Sequence, residues 1–172
     1  MTKVLLEMSE LRGVPCGDAV ELGPLSEEVL TDLAPLAENK GIALDCAGDA
    51  LAIGSDTLLY RLVFNLVENA IRYSRSGSTV NVSICDTDSH VFLRVKDQGP
   101  GIPKKYRESI FQPFFRLDKS RSRAYGGAGL GLALVWEIAA LHGGAVEVEA
   151  SSENGTTMLV SLPKRSVALT EQ

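Results

Sequence analysis

Four glycines stand directly before an apolar stretch with helical spacing, in positions that could serve phosphate binding: Gly126, Gly127, Gly129 and Gly131. Glycine lets the backbone approach a ligand, and the free N–H groups at a helix N-terminus hold an anion, so the pattern predicts a phosphate site. A lid hinge or close helix packing would use the same residues. The chain contains no Gly-Lys-Ser/Thr and no strand running into these glycines, which excludes a P-loop and a dinucleotide-binding fingerprint.

Two amides and one guanidinium recur on a predicted helix. Asn65, Asn69 and Arg72 follow one another at i, i+4 and i+7, so they share one helical face. Amide oxygens suit a Mg²⁺ ion that keeps most of its waters and shares phosphate oxygens, and a nearby arginine pairs with those phosphates. The competing interpretation is an ordinary solvated helix face.

A carboxylate, Asp97, stands at the end of a predicted strand and is followed by Gly99 and Gly101. An acceptor in this position can receive the exocyclic amine of a purine, and the glycines would open the turn so that the base lies close. A plain turn with aspartate and glycine in their usual places is the alternative.

The charge of the chain is unevenly distributed. Its 172 residues carry a formal net charge of −5, which argues against a nucleic-acid surface. Residues 104–123, however, hold seven Lys or Arg and only two Asp or Glu, in a long stretch without clear periodicity. Such a stretch is typical of a functional lid or of disorder. Positive charge concentrated on one loop favours a single small polyanion as the ligand.

Hydrophobic periodicity predicts the elements that position these residues. Helices are predicted over residues 26–39, where Pro35 should introduce a kink, 56–73 and 130–141. Strands are predicted over 42–46, 51–53, 80–84, 91–95, 146–150 and 156–162, with turns at 48–49 and 154–155. Residues 4–11 are interpreted as the end of a helix that starts upstream.

Neither the cysteines nor the apolar stretches indicate a secreted or membrane-inserted chain. Three widely spaced cysteines without a CxxC encode no disulfide framework and no zinc site, which favours a reducing, cytoplasmic setting. The longest uncharged apolar stretch, residues 126–136, is far shorter than the roughly 20 residues that a spanning helix needs. No membrane contact is expected for this part of the protein.

Four segments, taken together and in this order, resemble the N, G1, F and G2 boxes of the catalytic, ATP-binding domain of sensor histidine kinases: LVFNLVENAIRYS, VKDQGPGIP, IFQPFFR and GGAGLGLALV. That domain belongs to the ATPase superfamily of gyrase, MutL and the heat-shock chaperones. The resemblance implies an α+β fold, a two-layer sandwich whose mixed β-sheet is covered on one face by helices, with a long ATP lid. It also implies a catalytic domain over residues 14–165, preceded by the end of a dimerisation and phosphoacceptor helix (1–13) and followed by a flexible tail (166–172).

The resemblance further implies roles for individual residues toward ATP and Mg²⁺. Asn69 would coordinate the metal, Asn65 and Arg72 would face the phosphates, and Tyr73 the ribose. Asp97 would accept from the adenine amine, with Gly99, Gly101, Ile102 and Thr156 around the base. Arg116 would reach the γ-phosphate, and Gly127, Gly129, Leu130 and Gly131 would offer backbone N–H groups to the phosphates. Asn65 and Arg116 are the candidate catalytic residues.

Position 65 bears on the reaction. Gyrase-like ATPases carry a glutamate there as the general base, and an amide cannot deprotonate water. Asn65 therefore favours transfer of the γ-phosphoryl group to a histidine on a separate helical domain. The alternatives are a catalytically silent ATP-binding module that regulates or interacts, or an ATPase of the same superfamily.

The chain has two histidines, and neither fits the acceptor. His90 lies in a hairpin, and His142 ends a helix, where a cation would suit the helix dipole. The expected partners are therefore the chain's own upstream helical domain, which would carry the acceptor, and a response regulator. The full-length protein is expected to be a homodimer, with this domain in the cytoplasm whether or not the sensor is anchored in the inner membrane.

Overall fold

The computed structural model describes residues 17–115 and 131–164. In chain order the elements are β1 (Asp18–Glu21), α1 (Leu22–Lys40), β2 (Ala43–Gly48), β3 (Leu51–Gly54), α2 (Asp56–Tyr73), β4 (Thr79–Asp86), β5 (His90–Lys96), two 3-10 turns (Lys104–Tyr106 and Ser109–Phe111), α3 (Gly131–Leu141), β6 (Ala145–Ser152) and β7 (Gly155–Pro163). None of the described helices is long and apolar enough to cross a membrane.

Five strands form one mixed sheet in the order β2-β4-β5-β7-β6, in which β2 pairs with β4 in parallel and the other neighbours are antiparallel. Alternate residues of β4 and β5 are buried, because one face of the sheet packs against the helices: Val80, Val82, Ile84, Val91, Leu93 and Val95. The predicted two-layer α+β sandwich is confirmed. The predicted ATP lid falls largely on residues 116–130, outside the described residues.

The helix α2 is the central element of the helical layer. Its bounds match the prediction of 56–73, since the apolar residues recur at helical spacing and Ser55 caps the N-terminus by accepting from the N–H of Leu58 at 3.2 Å. It packs against α1 on one side and α3 on the other. Its apolar face is fully buried, which leaves its amide-bearing face to the site.

Helix α1 begins four residues earlier than predicted and continues through Pro35 as one element. The early start has no local capping signal, because the side chain of Glu21 makes no cap bond. Instead, the N–H of Leu22 donates to the carbonyl of Ala50 at 3.0 Å, and that of Gly23 donates to Oδ1 of Asp49 at 2.7 Å. Contacts made from another part of the chain thus extend the helix.

Strand β1 was not predicted, and neither were the pairing partners of β2 and β3. The turn predicted at residues 48–49 exists, but the two strands that it joins lie in different sheets. Strand β2 pairs with β4, whereas β3 pairs with β1 in the register Asp18↔Gly54. Only one of the four β1 residues is buried, so its sequence lacks the alternation of apolar and polar residues that predicts a strand. Residues 1–13 and 166–172 lie outside the described residues.

Candidate functional site

Asp97 directly follows β5 and is buried, with 7% of its surface exposed. Its Oδ1 accepts from the backbone N–H of Gly99 at 2.9 Å and of Thr156 at 3.1 Å. Burial raises the pKa of this carboxyl, and the two N–H donors oppose that rise. Oδ2 has no hydrogen bond within the described residues, so it remains available to accept from a ligand.

The turn after Asp97 is held by side chains that the sequence analysis did not single out. Arg75 donates from Nη1 to the carbonyl of Gln98 at 3.1 Å and from Nη2 to the carbonyl of Glu153 at 2.6 Å. The Gln98 side chain accepts from the N–H of Thr79 at 2.7 Å, and the Gln98 N–H donates to Oγ of Ser74 at 3.1 Å. These contacts tie the end of α2 and the β6–β7 hairpin to the turn. No local pattern announces them.

Backbone packing requires glycine at two positions of this turn. A Cβ on Gly99 would lie 2.4 Å from the carbonyl oxygen of Tyr73, and one on Gly101 would lie 2.2 Å from that of Ser152. At both positions, protein backbone takes up the space that a side chain would need. Close packing of backbone against backbone, and a φ of +87° at Gly101, require glycine here.

Gly155, in the turn between β6 and β7, is also required by close packing against backbone. Gly155 has a φ of +145°, and a Cβ there would lie 2.1 Å from the carbonyl oxygen of Asp97. A side chain at the β6–β7 turn would therefore collide with the backbone of Asp97. The pairing of Asp97 with Thr156, whose carbonyl accepts from the Asp97 N–H at 2.8 Å, depends on this close packing.

The polar face of α2 carries the three predicted residues, all partly buried. Asn65 donates from Nδ2 to the carbonyl of Arg61 at 2.8 Å, while the Asn69 carboxamide makes no hydrogen bond within the described residues. Arg72 lies 3.5 Å from Glu68, a loose pair of partly exposed side chains that contributes little. Asn69 is thus the group on this face that is free to take a metal ion or ligand.

The start of α3 meets α2 at Asn65. A Cβ on Gly131 would lie 3.3 Å from Oδ1 of Asn65, so the backbone at the helix N-terminus lies against that amide. Helix α3 therefore begins beside the amide-bearing face of α2. The other residues assigned to phosphate binding in that region lie outside the described residues: Arg116, Gly127, Gly129 and Leu130.

Ile102, predicted beside the base, is held at both of its backbone groups. Its N–H donates to Oγ of Ser151 at 2.8 Å, and its carbonyl accepts from Nε of Arg107 at 3.1 Å. Arg107 also donates from Nη2 to the carbonyl of Ser151 at 3.2 Å, and Oγ of Ser151 lies 2.8 Å from Oγ1 of Thr156. Ser151 therefore connects two residues of the predicted base pocket, although nothing in its sequence context indicated this.

The expectation that His142 is a cation at the C-terminus of α3 is wrong. The side chain is 3% exposed, and burial lowers its pKa, so the imidazole is neutral. Its Nδ1–H donates to the carbonyl of Ile138 at 2.8 Å, and Nε2 accepts from the N–H of Ser55 at 3.1 Å. His142 thereby joins the end of α3 to the N-cap of α2. It serves structure, as predicted, but through hydrogen bonds and without charge.

No group of three or more His, Cys, Asp or Glu residues that could hold a metal ion exists within residues 17–115 and 131–164. A metal ion at this site would therefore be bound by the amide of Asn69 together with oxygens of its ligand and water. Mg²⁺, which keeps several waters and shares phosphate oxygens, fits such a donor set.

Comparison with known proteins agrees with this geometry. Residues 54–166 match the family described as histidine kinase-, DNA gyrase B- and HSP90-like ATPases. The chain is 37% identical to the sensor-like histidine kinase SenX3 of Mycolicibacterium smegmatis over 165 residues, and this alignment covers 93% of the chain and 43% of SenX3. It is 45% identical over 106 residues to the sensor protein RstB of Escherichia coli, covering 62% of this chain and 24% of RstB.

Solved structures give the same result. The mycobacterial sensor histidine kinase MprB superposes with a TM-score of 0.73 at 30% identity, covering 87% of this chain and 98% of that one. Full-length ShkA in complex with AMPPNP superposes with a TM-score of 0.77 at 26% identity, covering 94% of this chain and 34% of ShkA. By these matches the chain belongs to the histidine kinase-, DNA gyrase B- and HSP90-like ATPases and is homologous to the catalytic domains of sensor histidine kinases.

Proposed function

We propose that this chain binds Mg-ATP and transfers the γ-phosphoryl group to a histidine on a separate helical domain. One observation carries the proposal: the Asp97 carboxylate lies beside the C-terminal end of α2, and the amide-bearing face of the same helix meets the start of α3 at Asn65. The N–H of Gln98, next to Asp97, donates to Ser74 at the end of α2, while Asn65 meets Gly131 at the middle of the helix. Asn65 and Tyr73 are separated by about 12 Å along the helix axis. A nucleotide can therefore place its base and its phosphates along a single helix.

At the base end, Asp97 accepts from the exocyclic amine of adenine through Oδ2, because Oδ1 is occupied by two backbone donors. Thr156 and Ile102 lie around the base, with Gly99 and Gly101 shaping the turn. The side chain of Tyr73 faces the ribose. Because the surrounding backbone is packed closely, this half of the pocket is preorganised for its ligand.

On the amide-bearing face of α2, Asn69 would hold the Mg²⁺ ion, and Asn65 and Arg72 would face the phosphate oxygens. Mg²⁺, when bound, neutralises charge that develops on the transferred group. Arg72 gives up only a weak surface pair with Glu68 when it turns to a phosphate. Gly131, together with Gly127, Gly129, Leu130 and Arg116, completes this end of the site from the glycine-rich segment and the lid.

The amide at position 65 supports group transfer instead of hydrolysis. Asn65 uses its Nδ2 to bond the backbone of its own helix, and neither amide atom can take a proton from water. An imidazole needs no such base, because its neutral ring nitrogen is already a nucleophile. That nitrogen attacks the γ-phosphorus, the bond to the β–γ bridging oxygen breaks, and ADP leaves with the electron pair.

The chain spans 43% of the length of SenX3. We assign the phosphoacceptor histidine to a separate helical domain, because neither histidine of this chain fits that role. His142 is buried and bonded at both ring nitrogens, and His90 begins β5, at the opposite end of that strand from Asp97. A response regulator as the next acceptor, and a homodimeric full-length protein, complete the proposal.

The test is to mix this chain with a folded helical hairpin bearing the acceptor histidine, in the presence of Mg²⁺ and ATP labelled at the γ-phosphate. The label should appear on the hairpin in an acid-labile, alkali-stable form, and not when Asn69 is changed to Ala. ATP binding without transfer would contradict the kinase proposal and favour a silent ATP-binding module. Steady release of phosphate by the chain alone would instead favour an ATPase.

A further inference from the structure

The carboxylate of Asp97 is held by two segments of the chain. Its Oδ1 accepts from the N–H of Gly99, in the turn that follows β5, and from that of Thr156, in the hairpin formed by β6 and β7. Hydrogen bonds are directional, so these two donors fix the rotation of the carboxylate while both stay in place. The direction in which Oδ2 points therefore depends on how the turn and the hairpin are fixed to each other.

Arg75, two residues after the end of α2, bridges the same two segments. Its Nη1 donates to the carbonyl of Gln98 at 3.1 Å, in the turn, and its Nη2 donates to the carbonyl of Glu153 at 2.6 Å, in the hairpin. The backbone N–H of Arg75 also donates to the Gln98 carbonyl, at 3.4 Å. Gln98 adjoins Asp97, and Glu153 lies in the hairpin turn that leads into Thr156. One guanidinium thus joins the turn to the hairpin beside the donors of the carboxylate.

An arginine suits this position for a geometric reason. The guanidinium is planar, and its two terminal nitrogens donate in fixed directions, so one side chain can hold two carbonyls at a set separation. Bonds from a charged donor are also stronger than bonds between neutral groups. The Arg75 side chain is exposed, so its removal leaves no cavity in the core, and a variant should fold.

A second arginine bridges the same segments at a different place. Arg107 donates to the carbonyl of Ile102 at 3.1 Å and to that of Ser151 at 3.2 Å. It holds the β6 side of the hairpin to the far end of the turn, whereas Arg75 holds the residues that connect β6 to β7. Those connecting residues precede Thr156 directly, so the orientation of the carboxylate depends on Arg75 in particular.

We propose that Arg75 is a positioning residue for adenine recognition, which fixes the turn to the hairpin and so keeps the Asp97 carboxylate directed at the exocyclic amine. The inference rests on the proposed nucleotide-binding function of the site. Arg75 touches no nucleotide in this arrangement and acts through the N–H groups of Gly99 and Thr156. Its loss should weaken the contact with the amine and leave the contacts with ribose and phosphate unchanged.

The experiment compares the dissociation constants of ADP and of purine riboside diphosphate, which is ADP without the exocyclic amine. Both are measured with Mg²⁺ by competition against a fluorescent adenine nucleotide. The unaltered chain should prefer ADP, because only ADP offers the amine to Asp97. Arg75→Ala should reduce this preference about fivefold, the equivalent of one hydrogen bond of ordinary net strength, because the carboxylate then samples several orientations. The comparison cancels any lost attraction to the phosphates, since both nucleotides carry the same ones.

Arg75→Lys separates geometry from charge. Lysine keeps the positive charge but lacks the planar fork that reaches two carbonyls at once, so the preference for ADP should stay lowered. Full recovery of the preference by lysine would overturn the inference, because charge alone would then suffice. Amide hydrogen exchange gives a second readout: without nucleotide, the N–H of Thr156 should exchange faster in Arg75→Ala than in the unaltered chain. An unchanged exchange rate at Thr156 would likewise overturn the inference.

Arg94→Ala is the matched control. Arg94 lies on β5, the strand that leads to Asp97, and its Nε and Nη2 both donate to the Glu149 carboxylate at 2.7 and 2.9 Å. Its removal should leave the preference unchanged. Equal weakening of both nucleotides by Arg75→Ala would show a merely structural role and overturn the inference, as would the absence of any preference in the unaltered chain. Failure of the unaltered chain to bind ADP would instead refute the proposed function.

Discussion

The substitution Asp97→Asn separates ligand binding from folding at the site. Asparagine has the shape of aspartate, and its Oδ1 can still accept from the N–H groups of Gly99 and Thr156. The change is confined to the atom that has no partner within the described residues, where an NH₂ group replaces Oδ2. This group would meet the adenine amine as donor against donor.

The loss of affinity can be worked out from that contact. A hydrogen bond to a charged group contributes about 1.5–3 kcal/mol, and the donor left facing the amine adds to the loss. Near the upper end, about 3 kcal/mol, the dissociation constant for ADP rises about 100-fold. This loss affects the binding free energy of the nucleotide and not the free energy of unfolding.

The free energy of unfolding should move the other way. Burial raises the pKa of Asp97, so the folded protein disfavours the ionised carboxyl relative to the unfolded chain. This contribution to stability is present below the ordinary pKa of aspartate and is lost as pH rises through the raised folded-state pKa. Asparagine is neutral at every pH. We therefore expect the variant to be at least as stable as the unaltered chain at pH 7.

Calorimetric titration with ADP and Mg²⁺ measures the first effect, and urea unfolding without nucleotide measures the second. Asp86→Asn is the control, because Asp86 lies exposed at the end of β4 in an ion pair with Lys164. It should not alter ADP binding. Binding within threefold of the unaltered chain would refute the role of Asp97 in holding the base. Clear destabilisation of the Asp97→Asn variant would refute the account of its burial.

Three further predictions follow from the same contacts. Gly155→Ala should lower the free energy of unfolding, measured in urea, by more than about 2 kcal/mol, because the new Cβ would collide with the carbonyl of Asp97. Gly77→Ala is the control: Gly77 also has a positive φ, +87°, but open space around it, so this substitution should cost only about 1 kcal/mol. Burial lowers the pKa of His142, so as the pH falls below the pKa of a free imidazole the unfolded chain binds a proton that the folded chain does not. The free energy of unfolding should therefore fall in this range with a slope approaching about 1.4 kcal/mol per pH unit. His142→Gln should remove that part of the slope. Chelating Mg²⁺ with EDTA should weaken ATP binding to the unaltered chain but not to Asn69→Ala, and an equal effect on both would place the metal elsewhere.

Much of the fold could be predicted from local patterns. The helix at Asp56–Tyr73 and the two hairpins have apolar periodicities and turn residues that lie within a few positions of one another. Strand β1 and the start of α1 could not be predicted in this way. Gly23 is capped by a residue 26 positions away, and β1 is a strand only because β3 lies beside it. Pairing between distant segments leaves no trace in a local window.

The same division applies to the site. Asn65, Asn69 and Asp97 could be named because residue type and spacing point to their chemistry. Ser151 and Arg75 could not, since each acts across the fold. Arg75 reaches a carbonyl 78 positions away, and no property of an arginine after a helix indicates that partner. The charge state of His142 was predicted wrongly for a related reason: the helix terminus is visible in the sequence, but the burial of the imidazole is not.

The sequence by itself determined which residues are proposed to bind base, phosphate and metal, and it showed that position 65 carries an amide that cannot act as a general base. Only the tertiary structure decided which hydrogen bonds those residues make and which of their atoms stay unpaired among the described residues. It occupies one oxygen of Asp97 with two backbone donors, one of them 59 positions away, and gives the other no partner among the described residues. It also places glycines where two backbones touch, and joins Ser151 to Thr156 across the β6–β7 hairpin. Hydrogen bonding and burial depend on which segments meet in space, and that is a property of the folded chain.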